Sequence, residues 1–176
     1  TLRHTLFPYT TLFRSRAEWA IADLGILTTR AVSVPIYATN SVEEAEYIVN
    51  DAEIKIIFVG DQDQYDRSKK IIKGNKYLKK IVAMDRDITI EGDDSMYFDQ
   101  MLELGRKSTR GDMLETRLKE VNPDDTLTLI YTSGTTGAPK GAIHTHRSFM
   151  TGIYPSYTRF PEAGTDTVSL AILPLS

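Results

Sequence analysis

Apolar and polar residues alternate along this chain with two different periods. The segment at 54–60 is apolar except for Lys55 and ends at a glycine, which is typical of a buried strand in a parallel sheet. Other segments place apolar residues three or four positions apart, which is typical of a helix with one buried face. Near the start of the chain, that face is predicted to consist of Ala17, Ile21, Leu24 and Leu27. The alternation predicts a layered α/β fold with a mostly parallel sheet and flanking helices.

These patterns divide the chain into short predicted elements. The predicted helices are 16–30, 41–52, 62–73, 97–107, 112–121 and 147–157. The predicted strands are 31–37, 54–60, 79–85, 126–133 and 140–146, and a polar loop is predicted over 86–96. Acidic residues soon after Asn40 and Ser41 favour a helix that begins at one of these two residues. Pro155 is expected to break the last helix.

The two ends of the chain differ from its interior. Residues 1–15 repeat the triplet TLF, contain neither an acidic residue nor a lysine, and resemble translated sequencing-adapter sequence. We expect this segment to be non-native, so the functional interpretation begins at residue 16. The last residues show an apolar strand pattern at 168–175 that stops without a capping turn. Together these features predict a fragment of a longer protein.

Composition narrows the possible functions. The chain has 21 Lys and Arg against 24 Asp and Glu, and a net charge of −3 offers no general attraction for nucleic acid. It has no cysteine, which excludes disulfides, thiolate metal sites and cysteine nucleophiles. No apolar run approaches the roughly 18 residues of a membrane span, so a soluble protein is expected.

Two histidines are candidates for a metal site. His144 and His146 lie two positions apart on a predicted strand and could therefore face the same ion. A zinc site needs at least three protein ligands, and no third candidate lies nearby in the sequence. A structural role is the favoured interpretation.

The stretch with the most distinctive chemistry is YTSGTTGAPKG at 131–141. Its glycines let backbone N–H groups approach a ligand closely, its hydroxyls can donate to phosphate oxygens, and Lys140 adds a positive charge. It does not match the common phosphate loop G-x-x-x-x-G-K-[ST], because Pro139 replaces the second glycine and Gly141 follows the lysine. Nor does it match G-x-G-x-x-G. The residues alone leave open a phosphate-binding loop and a flexible hairpin between two strands.

The order of residues in YTSGTTGAPKG, followed by AIHTH at 142–146, resembles the signature loop of the AMP-forming adenylating enzymes. Within that superfamily, segment 16–61 is similar to the N-terminal region of bacterial long-chain fatty acid–CoA ligases. The resemblance implies that 16–176 is a partial N-terminal AMP-binding domain with the incomplete fold of an adenylating enzyme. It also implies ATP-dependent conversion of a long-chain fatty acid to acyl-adenylate and then acyl-CoA, with release of AMP and pyrophosphate.

The resemblance implies that this loop binds the phosphates of ATP. The implied nucleotide-binding residues are Thr132, Ser133, Gly134, Thr135, Thr136, Gly137 and Lys140. Thr136 is also implied to lie near Mg²⁺. No catalytic residue is implied within the chain, because it lacks the family's Tyr-Gly-x-Thr-Glu segment, ribose-binding aspartate and C-terminal lysine. The chain alone is therefore expected to be inactive.

The resemblance also implies the small molecules involved. ATP, Mg²⁺, coenzyme A and a fatty acid are expected, and nucleic acid is not. A cytoplasmic location is expected, with peripheral attachment at the inner membrane face left open, and the oligomeric state is not predicted. Two alternatives remain. One is an adenylating ligase for another carboxylic acid, such as an aryl, short-chain or amino acid, and the other is a non-catalytic, truncated ATP-binding protein.

Overall fold

The computed structural model describes residues 17–132 and 138–159. Within these ranges the helices are α1 (Ala17–Thr28), α2 (Val42–Asp51), α3 (Gln62–Ile72), α4 (Phe98–Arg106), α5 (Gly111–Lys119) and α6 (His146–Arg159). The strands are β1 (Ile56–Val59), β2 (Lys80–Ala83), β3 (Ser95–Tyr97), β4 (Thr126–Thr132) and β5 (Lys140–Thr145). No helix in these ranges is both long and apolar enough to cross a bilayer.

The strands form two sheets. β1, β2 and β3 pair in parallel in the order β1-β2-β3, which confirms the predicted parallel sheet with flanking helices. β4 and β5 instead form an antiparallel hairpin on either side of the glycine-rich loop. An isolated parallel bridge between Ser33 and Thr128 connects the early chain to β4. The hairpin is therefore tied to the N-terminal part of the domain through backbone hydrogen bonds.

The core is organised around β2, whose last three residues are fully buried. Ile81 and Ala83 pack in one cluster with Val59 and Tyr65, while Val82 points to the other face and packs in a second cluster with Phe98. Successive side chains of a strand point to opposite faces, so complete burial requires apolar partners on both sides. This is the environment expected for the central strand of a parallel sheet.

Helix α2 begins where its sequence predicts. Of the two candidate caps, Ser41 is the N-cap: its hydroxyl accepts from the Glu44 backbone N–H at 3.2 Å. The Glu44 carboxylate in turn accepts from the Ser41 backbone N–H at 2.9 Å. This capping box satisfies two N–H groups that the helix leaves unpaired, and such caps contribute about 0.5–2 kcal/mol. The start of α2 is therefore determined locally.

The predicted apolar face of α1 is wrong. Ile21 and Leu24 are 51% and 62% exposed, whereas Ala22 is buried against Val82 and Phe98. Apolar residues occur all around this helix, so their spacing fits more than one face. The small side chain of Ala22 lets the helix approach the sheet closely, and packing rather than periodicity selects that face.

Three other boundaries also differ from the prediction. Segment 31–37 forms only the bridge at Ser33 rather than a strand, and Pro35 has no N–H with which to continue a ladder. The predicted polar loop 86–96 ends in β3, a strand too short to give a periodic signal. Helix α6 continues through Pro155 and is not broken there. Proline has no N–H to donate to the carbonyl of Thr151 four residues earlier, but Thr151 is exposed, so its carbonyl can bond to water instead.

Helices α1 and α2 end in the same way, with a non-glycine residue in the left-handed conformation. Arg30 has φ of 60° and Glu53 has φ of 52°. The next N–H reaches back five residues in each case, from Ala31 to the Ile26 carbonyl at 3.2 Å and from Ile54 to the Val49 carbonyl at 2.9 Å. This is the Schellman pattern, in which glycine is the preferred residue at the left-handed position.

We expect Arg30→Gly to be more stable than Arg30→Ala by about 1 kcal/mol, because only glycine adopts this backbone conformation without a steric cost. Both variants lose the same ion pairs, from Arg30 to Glu120 at 3.1 Å and to Asp125 at 3.0 Å. The alanine variant is thus the matched control for the lost side chain. Urea unfolding measures the difference, and equal stability of the two variants would contradict a strained turn at residue 30.

Candidate functional site

The glycine-rich segment is framed by the hairpin of β4 and β5. The last pair of the ladder joins Thr132 to Lys140, and the pair before it joins Tyr131 to Gly141. Of the predicted phosphate-binding residues, the hairpin therefore brings Thr132 and Lys140 together as cross-strand neighbours. The other five, Ser133, Gly134, Thr135, Thr136 and Gly137, lie outside the described residues. Their assignment stays a prediction.

Thr132 and Lys140 are both exposed, so a hydroxyl and an ammonium group are available together at the mouth of the hairpin. Directly opposed residues in an antiparallel pair have Cβ atoms about 4.5–5.5 Å apart. A lysine provides three donors and a positive charge, and a threonine hydroxyl provides one more donor. This pair of side chains can therefore contact one anionic group such as a phosphate.

Tyr131, one position before Thr132 at the mouth of the hairpin, is buried and hydrogen-bonded. Tyr131 is 4% exposed, and its hydroxyl donates to the Asp51 carboxylate at 2.5 Å. Burial, together with this hydrogen bond, raises the pKa of Tyr131 well above its usual value. The phenol therefore keeps its proton at neutral pH and remains a hydrogen-bond donor.

Gly141 makes room for the Tyr131 ring. A Cβ atom added at Gly141 would lie 3.0 Å from Cζ of Tyr131 and 3.3 Å from both Cε atoms. Such distances are shorter than ordinary carbon–carbon contacts of about 3.5–4.0 Å. Packing against the neighbouring strand thus favours the glycine that follows Lys140. This explains one departure from the common phosphate loop, which has Ser or Thr after its lysine.

The far end of the hairpin is fixed where β5 passes directly into α6. Thr145 and Ser148 cap the helix reciprocally, each hydroxyl accepting from the other residue's backbone N–H, at 3.1 Å and 2.9 Å. Arg147 donates two hydrogen bonds to the Asp124 carboxylate, at 2.7 Å and 3.1 Å. These bonds lower the pKa of Asp124 below its usual value. The junction holds β5 against the turn that precedes β4.

The two histidines lie at this junction. His144 is the partner of Thr128 in the ladder, and the His146 backbone N–H donates to the Asp125 carbonyl at 3.2 Å. Within residues 17–132 and 138–159, no three His, Cys, Asp or Glu side chains form a group that could hold a metal ion. The structural role of both histidines stays a prediction.

Sequence reasoning missed Asp51 as a component of the site. It is the last residue of α2 and lies 80 positions before the tyrosine that it contacts. A charged residue at the end of an amphipathic helix is an ordinary feature of a sequence. No local pattern therefore distinguishes Asp51 from the other acidic residues of α2, and only the tertiary fold identifies it.

We expect Gly141→Ala to lower the free energy of unfolding by about 1–3 kcal/mol, because the new methyl group forces the Tyr131 ring or the strand to shift. Gly152→Ala in α6 is the matched control, since an added Cβ there meets no other atom within 4 Å. Alanine in a helix is favoured over glycine by roughly 0.5–1 kcal/mol, so the control should gain stability. Urea unfolding of both variants tests this expectation. If Gly141→Ala is as stable as the unmodified chain, the close packing of Gly141 against Tyr131 is contradicted.

The raised pKa of Tyr131 predicts a loss of stability in alkali. The unfolded chain releases the phenolic proton near pH 10, whereas the folded chain still holds it. The unfolded state therefore binds fewer protons above pH 10, and stability falls as the pH rises. We expect unfolding measurements from pH 8 to 11 to show a smaller fall for Tyr131→Phe than for the unmodified chain. An equal fall in stability for the two proteins would contradict a buried, hydrogen-bonded phenol at Tyr131.

Comparison with known proteins identifies relatives over most of the chain. Residues 10–176 match the family of AMP-binding enzymes. The long-chain-fatty-acid–CoA ligase FadD15 of Mycobacterium tuberculosis is 35% identical over 127 residues, which cover 72% of this chain and 20% of that protein. Human long-chain-fatty-acid–CoA ligase ACSBG2 is 32% identical over 162 residues, which cover 91% of this chain and 24% of that protein. The chain thus spans a quarter or less of the length of these curated relatives.

Solved structures confirm the fold. One from Rhodopseudomonas palustris is similar with a TM-score of 0.69 at 16% identity, covering 91% of this chain and 36% of that chain. The luciferase-like enzyme of the mealworm Zophobas morio has a TM-score of 0.56 at 26% identity, covering 80% of this chain and 29% of that chain. The hairpin around YTSGTTGAPKG, the α/β fold and the match over residues 10–176 agree: the chain belongs to the AMP-binding enzyme family.

Proposed function

We propose that this chain is the N-terminal portion of an AMP-forming long-chain fatty acid–CoA ligase. The observation that carries the proposal is the pairing of Thr132 with Lys140 at the mouth of a hairpin whose connecting sequence is rich in glycine and hydroxyl groups. The names of the two relatives, both long-chain-fatty-acid–CoA ligases, support the acyl substrate.

The proposed reaction has two steps. A fatty carboxylate oxygen attacks the α-phosphorus of ATP, the bond to the bridging oxygen breaks, and pyrophosphate leaves with that oxygen. The thiol of coenzyme A then attacks the acyl carbon of the adenylate, loses its proton and displaces AMP. Adenylyl transfer of this kind depends on positioning and on charge stabilisation more than on covalent chemistry by the protein.

The loop is proposed to hold the β- and γ-phosphates that leave as pyrophosphate. The proposed contacts are those of Thr132, Ser133, Gly134, Thr135, Thr136, Gly137 and Lys140. Donors aimed at the leaving group stabilise the negative charge that develops on it in the transition state. Exposure of Thr132 and Lys140 at the mouth of the hairpin supports this role, since both side chains are free of the core.

Mg²⁺ is the metal that this chemistry calls for. It prefers hard oxygen ligands, keeps several waters and usually binds through substrate phosphates and one or two protein groups. The hydroxyl of Thr136 is a ligand of that kind, and the described residues contain no acidic cluster that would form a complete protein site. Thr136 would thus be one protein ligand of an ion that arrives with ATP, and the charge of that ion would offset the negative charge on the leaving pyrophosphate.

The acid and the location are also part of the proposal. A long-chain acid is preferred over an aryl, short-chain or amino acid because the relatives carry that substrate in their names. A cytoplasmic protein fits the use of ATP and coenzyme A. Peripheral attachment at the inner membrane face would give access to a poorly soluble fatty acid.

The first experiment tests the reaction itself. The complete reading frame is expressed, purified and incubated with MgATP, coenzyme A and palmitate, and AMP and acyl-CoA are quantified by chromatography. We expect both products in equal amounts, and lower rates with benzoate, acetate and amino acids. The 176-residue chain alone should form no acyl-CoA, because it spans so little of its relatives' length. Nucleotide binding by the complete protein without either product would favour the non-catalytic alternative.

A second experiment tests the loop. Lys140→Ala in the complete protein should lower kcat/KM for MgATP by roughly tenfold to a hundredfold, because a charged donor to the phosphates is lost. Lys79→Ala is the matched control, since Lys79 is an exposed lysine outside the hairpin. Equal kinetics of the two variants would remove Lys140 from the site while leaving the ligase activity itself established.

A further inference from the structure

We propose that Tyr131 and Asp51 form a positioning pair that fixes the mouth of the phosphate loop to helix α2. The pair acts through Thr132 and Lys140, which form the next ladder pair toward the loop. The inference rests on the proposed function of the loop. It adds a specific residue outside the loop sequence, Asp51, to the groups on which ATP binding depends.

The acceptor is held by a rigid element. Asp51 closes α2, and the helix is anchored by Ile48 and Val49, which are 1% and 0% exposed. At its other end the helix is fixed by the reciprocal cap between Ser41 and Glu44. A hydrogen bond to a charged acceptor is about twice as strong as one between neutral groups. The 2.5 Å contact therefore ties the hairpin to a helix with little freedom to move.

The hydrogen-bond donor, Tyr131, contacts both strands of the hairpin. Tyr131 belongs to β4 and pairs with Gly141 of β5, whose missing side chain lets the ring lie against the second strand. One residue of a strand corresponds to about 3.3 Å, so a displaced ring would shift Thr132 and Lys140 with it. An error of about 1 Å in the placement of binding groups can cost a hundredfold in rate.

The chemical state of the pair suits a permanent contact. Burial and the bond to Asp51 raise the pKa of Tyr131, so the phenol stays a donor over the whole physiological range. Rigid support for a binding loop is a general requirement, because loops carry binding groups and the scaffold positions them. Asp51 and Tyr131 meet this requirement from two elements that are far apart in the sequence.

The test uses the complete protein and three single variants: Tyr131→Phe, Asp51→Asn and the control Tyr65→Phe. Tyr65 is also buried, at 3% exposure, and its hydroxyl accepts from the Glu91 backbone N–H at 2.7 Å and contacts Ser95 at 3.0 Å. It lies in the core cluster around Ile81 rather than in the hairpin. The control thus loses a comparable buried hydroxyl without touching the loop.

We expect Tyr131→Phe to raise KM for MgATP about tenfold, which is the effect of one hydrogen bond to a charged group. Asp51→Asn should raise it by less, because the amide oxygen still accepts from the phenol without the charge. KM for the fatty acid should stay unchanged. The double variant should show no rise beyond that of Tyr131→Phe, because without the phenol hydroxyl residue 51 has no bond to Tyr131 to lose. Tyr65→Phe should lower the urea midpoint to a similar extent while leaving KM for MgATP at its original value.

Each outcome has one meaning. If the unmodified protein is active and Tyr131→Phe keeps the original KM for MgATP, the positioning role is wrong. If KM rises equally in the Tyr65→Phe control, the effect is general destabilisation and the role is also wrong. If the unmodified protein is inactive, the proposed ligase function fails, and calorimetric binding of MgATP decides the inference: weaker binding by both variants supports it, and unchanged binding overturns it. Asp51→Asn serves alone if Tyr131→Phe does not fold.

Discussion

Burial of β2 on both faces, from Ile81 to Ala83, is the constraint on which the rest of the described structure depends. A strand covered on both faces needs apolar side chains at every position, and Ile81, Val82 and Ala83 supply them. Its two parallel neighbours satisfy the backbone, while α1 and α4 cover one face and α3 the other. Burial of apolar surface stabilises a fold by roughly 25 cal/mol per Å², so these buried side chains are a main source of the stability of the domain.

The hairpin on either side of the glycine-rich segment has fewer such apolar contacts. β5 is largely exposed, with Ile143 at 67%, whereas β4 buries Leu127 and Tyr131. Its position is set by polar interactions instead: Tyr131 to Asp51 at one end, and Arg147 to Asp124 at the other. Polar contacts are directional, so they define a position more sharply than apolar packing does. This division suits a site in which a rigid frame surrounds a loop rich in glycine.

Prediction from sequence succeeded where the determining forces are local or strictly periodic. The capping box at Ser41 and Glu44 needs only four consecutive residues, and the apolar segment at 54–60 forms the strand β1, as predicted. The predicted burial of this strand is wrong except at Val59. Prediction failed where tertiary packing chooses among equivalent local solutions. Helix α1 could have buried either of two faces, and the small side chain of Ala22, against Phe98, decided between them.

The sequence by itself determined the α/β class, the parallel sheet and the family, because hydrophobic period and the order of residues in YTSGTTGAPKG are properties of the chain alone. It also predicted that Thr132 and Lys140 bind one ligand. Only the tertiary structure decided what surrounds these two residues. The contact of Tyr131 with Asp51 spans 80 positions, and the preference for glycine at 141 arises from a ring on the neighbouring strand. Contacts between residues that are far apart in the sequence produce no periodic pattern, so they are seen only in the tertiary structure.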